Sequence, residues 1–150
     1  MSAVQKPLLG LGLIAGLVQI AAGIAMYLSG VYFAPWSGVV SRVVLLACIV
    51  GGTGWYVRRV LGGRGTYMYA LVVGLTITLC TAVLYMIYNV VTILWLYPHF
   101  LQDMARALPN GEPPTLSRVV AANFTGFCLV GAVISALTAI AFRRPARARG

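Results

Sequence analysis

Four stretches of this chain run for the width of a bilayer with almost no charge, and that leaves few folds open. They cover roughly Leu8 to Ser29, Gly38 to Val57, Tyr67 to Tyr97 and Leu116 to Phe142. A helix needs about 20 predominantly apolar residues to cross a hydrocarbon core of about 30 Å. Lipid offers no partner for an unpaired backbone N–H or C=O, so each run is expected to be a helix. The first run follows Lys6 and resembles a signal peptide, but it is longer than the usual h-region of about 7–15 residues and reads as a span. The third is 31 residues long, about 46 Å at ~1.5 Å per residue. It is expected to tilt or to leave the bilayer near Trp95 to Tyr97.

Composition agrees with lipid as the solvent. Hydrophobic residues make up 61% of the 150 residues and charged ones only 9%, whereas soluble domains carry about a quarter charged residues. The net charge of +9 is excluded as a nucleic-acid footprint by its placement. Arg58, Arg59 and Arg64 share one short loop, and Arg143, Arg144, Arg147 and Arg149 lie in the tail, 143–150. Basic clusters beside apolar runs follow the positive-inside bias and attract anionic headgroups at about 1 kcal/mol per charge. The connection from Gly30 to Ser37 is uncharged, and the outer loop 98–115 is nearly balanced by Asp103, Arg106 and Glu112. Both termini and the middle loop are therefore expected on the cytoplasmic side of the membrane, as one transmembrane domain. Aromatic residues mark the outer boundary at Tyr27, Tyr32, Phe33, Trp36, Trp95 and Tyr97, and the inner one at Trp55, Tyr56, Tyr67 and Tyr69.

Small and polar residues recur along each run at steps of three and four. The first has Gly12, Gly16, Gln19 and Gly23, then Met26. The second offers Ala47, Gly51 and Gly54, with Cys48 and Gly52 adjacent. The third has Gly74, Thr78, Thr81, Tyr85, Tyr88 and Thr92, with Asn89 beside them. The fourth has Ala121, Thr125, Cys128, Ala132, Ser135 and Ala139. Membrane helices associate where small residues let backbones approach and hydroxyls bond across, since leucine gains little by leaving lipid for leucine. A repeat near 3.5 keeps one seam facing its partner. The expected fold is all-α: an antiparallel four-helix bundle in the membrane, with a small-residue interior and little room for a wide pore.

Gln19 and Asn89 are the amides inside spans. They read either as a substrate or ion site between the first and third helices or as interhelical hydrogen bonds worth about 0.6 kcal/mol. No span carries a charge near its centre, where proton relays and coupling sites normally place one. Arg42 stands about one turn into the second span. It reads as a snorkelling side chain at the outer headgroups, or as a partner for Asp103 or Glu112. Cys48, Cys80 and Cys128 are an odd count without CxxC spacing, which argues against a disulfide framework or a zinc site.

The stretch "YPHFLQDMARAL" follows the third run. Pro98 pushes the residue before it out of the α region. Beyond it Leu101, Met104, Ala105 and Leu108 recur at helical spacing, with Asp103 and Arg106 on the other face. A short amphipathic helix on the outer membrane surface is expected here, between spans three and four. "PNGEPP", Pro109 to Pro114, is then a turn, with Thr115 as N-cap of the last span. His99 and Asp103 are too thin a constellation for metal or acid–base work. With one histidine, bis-histidine haem ligation within the chain is impossible. No catalytic residue, metal or cofactor is expected.

Taken in order, "GLIAGL", "GWYVRRVLGGRGTYMYALVVGL", "ITLCTAVLYMIYNVV", "YPHFLQDM" and "VGAVISALTAIAFRR" resemble a bacterial four-span inner-membrane family catalogued only as a domain of unknown function. The likeness covers nearly the whole chain. Members often have Pro-Asp-Phe where this chain has Pro98-His99-Phe100, and a longer outer loop. The resemblance implies cytoplasmic ends and no established activity. The function expected is a non-catalytic accessory or structural subunit packing against other membrane subunits or its own copies. The alternative is a small transporter or channel whose path Gln19, Asn89 and the third span's threonines line.

Overall fold

The computed structural model describes residues 5–34, 36–63, 65–107 and 112–142. Arg64, Leu108, the turn residues Pro109 to Gly111 and the tail arginines Arg143, Arg144, Arg147 and Arg149 lie outside the described residues. Four helices are long and apolar enough to cross a membrane: α1 (Gln5–Leu28), α2 (Ser37–Arg59), α3 (Tyr67–Val91) and, after a short α4 (Phe100–Ala107), α5 (Leu116–Phe142).

Helix ends follow from local chemistry. Pro7 sits in the first turn of α1, where its missing N–H would have had no helical partner. At the other end Gly30 adopts a left-handed φ of 72°. Its N–H donates to Tyr27 (3.0 Å) and that of Val31 to Met26 (3.1 Å), closing α1 in a Schellman turn. Thr66 caps α3 by accepting from the Tyr69 N–H, and Thr115 caps α5 by accepting from that of Arg118, each at 3.4 Å. The third span does not hold α geometry to its end. From Thr92 to Leu96 it widens into a π turn, with the Tyr97 N–H reaching back to Thr92 at 2.7 Å. Pro98 is the cause: it has no N–H, and Tyr97 is driven out to φ −144°, ψ 79°.

The core is organised around α3, which packs against α1 on one side and α5 on another, while α2 touches all three. Glycines set how closely α1 and α3 approach. A Cβ at Gly12 would lie 2.6 Å from that of Cys80, and one at Gly16 would run into Leu84. Between α3 and α5 the small residues interlock. Gly74 faces Ser135 (2.8 Å from a notional Cβ to the Ser135 Cβ), and Gly131 receives Thr78. Thr78 and Ser135 satisfy their hydroxyls on their own helices, at Gly74 O (2.9 Å) and Gly131 O (2.6 Å), and lie 3.4 Å from each other. Apolar filling comes from Ala15, Leu45, Ile49, Tyr56, Val73 and Ile77.

Two of the expected seams need correction. In α2 the buried residues are Leu45, Ile49, Thr53, Gly54, Tyr56 and Val57. Gly54 of the expected seam is thus buried, with Gly52 against Ile77, whereas Ala47 and Gly51 are exposed. In α5 the buried residues are Val119, Gly131, Ile134, Ser135, Thr138 and Ala139. They include Ser135 and Ala139 of the expected row, while Cys128 and Ala132 are half-buried and Ala121 and Thr125 are exposed.

Candidate functional site

The interior polar groups are the first place to look for chemistry. Gln19 is fully buried on α1. Its amide N–H donates to the Ser41 side chain and, at 3.2 Å, to the Ser41 carbonyl, so its partner is α2 rather than Asn89. Asn89 is buried too, and its amide donates to Tyr85 O at 2.7 Å within α3. The two amides thus serve separate hydrogen bonds. Thr81 and Tyr85 are buried on the same face of α3. Gly23 opens onto that face, its notional Cβ 3.4 Å from the ring of Tyr88 and 3.6 Å from that of Tyr85.

Space opens beside this level. A cavity of about 370 Å³ lies between the first half of α2 and the first half of α5. Tyr85 and Leu45 form part of its floor, and Phe33, Phe100 and Met104 lie over it. Its polar lining is Ser37, Ser41, Arg42, Asn123 and the Tyr32 and Tyr85 phenols. Arg42, expected to snorkel or to pair with an outer-loop carboxylate, lines this cavity and is exposed. Asp103 is engaged elsewhere: its carboxylate accepts from Arg106 at 2.8 Å and from the Tyr97 phenol. That pair is the one ion pair among the described residues. Burial pushes the Tyr32 phenol above its ordinary pKa. No signal in the sequence marked the cavity, because all five helices and the loop after α1 contribute to it.

The cap is aromatic. Phe100 is buried, with ring centroids 5.6 Å from Tyr32, 5.4 Å from Phe33 and 6.3 Å from Tyr97. Tyr97 also leans on Tyr27 at 5.3 Å. His99 is exposed, 3.4 Å from the Gln102 side chain, and faces neither cavity nor carboxylate. Among the described residues no group of three His, Cys, Asp or Glu side chains converges, and Cys48, Cys80 and Cys128 are half-buried thiols.

Tyr97 carries a pH expectation. Its bond to Asp103, desolvation and the carboxylate's charge, in that order, raise the phenol above its ordinary pKa of about 10, and Arg106 opposes them. A phenol raised on folding holds its proton longer than in the unfolded chain. Its contribution is present below about pH 10 and fades as the pH climbs through the folded value. Asp103→Asn is expected to bring the Tyr97 titration down towards 10, read as phenolate absorbance against a Tyr97→Phe blank. An unmoved titration would mean the hydrogen bond does not set it.

Of the residues singled out from sequence, Gly12, Gly16, Gln19, Gly23, Gly74, Thr78, Thr81, Tyr85, Asn89 and Ser135 lie buried between helices. Gly51, Ala121 and Thr125 lie on outward faces, as do Arg42, Arg58 and Arg59. Gly51 has no atom within 4 Å of a notional Cβ, and neither has Gly126 one turn from Ala122. No family model matches the chain, and neither a curated protein nor a solved structure does. The resemblance to the four-span family stands on the quoted residues alone.

Proposed function

We propose that the protein is a non-catalytic accessory subunit of a bacterial inner membrane that docks onto transmembrane helices of another subunit. One observation carries this reading: among the bulkier exposed residues, small ones stand one turn apart on the outward faces of α2 (Ala47, Gly51) and of the first half of α5 (Ala121, Thr125). On a helix that meets only acyl chains, small residues have no packing task. At four-residue spacing they let a second backbone come close, and close approach is what binds helices in lipid. The topology belongs to the same proposal. Contacts that rise together along α1 and α3 (Gly12 with Cys80, Gly16 with Leu84) but run opposite along α3 and α5 (Gly74 with Ser135, Thr78 with Gly131) support an up-down arrangement. Exposed Lys6, Arg58 and Arg59 support cytoplasmic ends, and α4 then lies at the outer surface. Four-span family membership is part of the reading. A transporter would require a continuous polar path, and the separate bonds of Gln19 and Asn89 lend it no support.

The test is purification from native membranes in mild detergent. The wild-type chain is expected to bring down one membrane protein in fixed ratio. Gly51→Leu and Thr125→Leu are expected to lose it while melting unchanged. A chain that runs as a lone monomer, or variants that keep the partner, would overturn the reading. A self-assembled oligomer would replace the foreign subunit with a second copy.

A further inference from the structure

The outer cavity offers a second site, whose mouth residues Ala122 and Gly126 stand beside Ala121 and Thr125 of the docking face on α5. Its size, about 370 Å³, falls within the range of ligand pockets, about 300–1,000 Å³, and far exceeds what a lone phosphate fills. It is open at the side. Gly38 and Arg42 of α2 and Ala122 and Gly126 of α5 line it and are exposed, so its mouth faces the surroundings of the bundle between those helices. Within a membrane, that mouth meets lipid.

Charge and polarity are divided along the cavity. Arg42 sits five residues into α2, about 7.5 Å from its start at ~1.5 Å per residue, which is headgroup depth. Ser37 and Gly38, the first two residues of α2, line the same end, where the helix dipole adds positive potential. Both described carboxylates stand away from this end's lining: Asp103 is held by Arg106 and Tyr97, and Glu112 is exposed in the outer loop. The opposite end is walled by Leu45, Phe127 and Val130. A cationic, donor-rich entrance continuous with an apolar slot matches a molecule with one anionic end and one hydrocarbon end.

We propose that this cavity binds a single anionic amphiphile, its phosphate or carboxylate on Arg42 and its chain along Phe127 and Val130. Membrane phospholipid and free fatty acid share that chemistry, and the experiment separates them. The full chain, purified in a neutral maltoside detergent, is titrated by native mass spectrometry with phosphatidylglycerol, phosphatidylcholine, laurate and inorganic phosphate. One phosphatidylglycerol or one laurate per chain is expected, held at least about tenfold more tightly than phosphatidylcholine, the size of one charge-assisted contact. Whichever of the two anions binds better identifies the source. Arg42→Gln is expected to remove that preference and Arg42→Lys to restore part of it. Gly126→Phe, which adds a ring at the mouth where a Cβ meets nothing within 4 Å, is expected to weaken both lipids. Melting of each variant distinguishes a lost site from a lost fold. Equal binding of both phospholipids, indifference to Arg42→Gln in a folded variant, or phosphate bound as tightly as the amphiphiles would overturn the proposal.

Discussion

Replacing Gly131 with leucine is expected to destabilise the bundle by about 3 kcal/mol, the upper part of the range for overpacking. Even a Cβ at this position runs into Thr78, with the Thr78 Oγ1 at 2.6 Å and its Cβ at 2.9 Å. Thr78 has nowhere to retreat. Its hydroxyl is bonded to Gly74 O and lies 3.4 Å from that of Ser135, which stands one turn along α5 and is bonded back to Gly131 O. The added side chain must therefore push α3 and α5 apart, and every contact between them loosens together. Reversible unfolding in mixed micelles would measure the loss. Gly51→Leu is the matched control: it adds the same volume where a Cβ meets nothing, and its effect is expected to stay within about 0.5 kcal/mol. Equal effects at the two positions would mean that the α3–α5 seam does not hold the bundle.

That contrast also shows where sequence patterning sufficed. Along α1 and α3 the small and polar residues singled out coincide with the buried face: Gly12 turns towards Cys80, Gly16 towards Leu84, Gln19 towards Ser41 and Gly23 towards Tyr85 and Tyr88. Such a face is legible because small residues have one use there. Along α2 and α5 small residues occur on two faces, and spacing alone does not rank them. Which face turns inward depends on how the helix crosses its neighbours, a tertiary quantity. Thr115 and Pro98 were legible because capping and the loss of an N–H are local effects. Gln19 illustrates the limit. Its burial follows from its position on the glycine face, but its partner Ser41 is 22 residues away and nothing in the pattern selects it. The cavity is the extreme case, with walls gathered from all five helices and the loop after α1.

The α4 segment separates two physical pictures of its end of the bundle. A helix resting on the membrane is held by lipid, and trimming one ring changes little. A helix clamped onto the bundle is held by protein. Phe100 is buried between Ile93 and Val119 and touches three aromatic rings, whereas Gln102 and Arg106 are exposed. Truncating a buried phenylalanine typically removes about 3–5 kcal/mol. In Phe100→Ala that loss is expected to fall mainly on α4 and the π turn, because short elements open locally before the whole fold does. Hydrogen exchange is expected to quicken sharply over residues 97–106 while the amides of α3 around Thr78 keep their protection. A lowered melting temperature with uniform loss of protection would instead make the aromatic cap part of the cooperative core. Unchanged exchange would place α4 in the hands of the lipid. The first outcome also bears on the cavity beneath, since Phe100 and Met104 lie over it: a loosened α4 widens the entrance at the end where Arg42 waits, leaving the apolar slot below untouched.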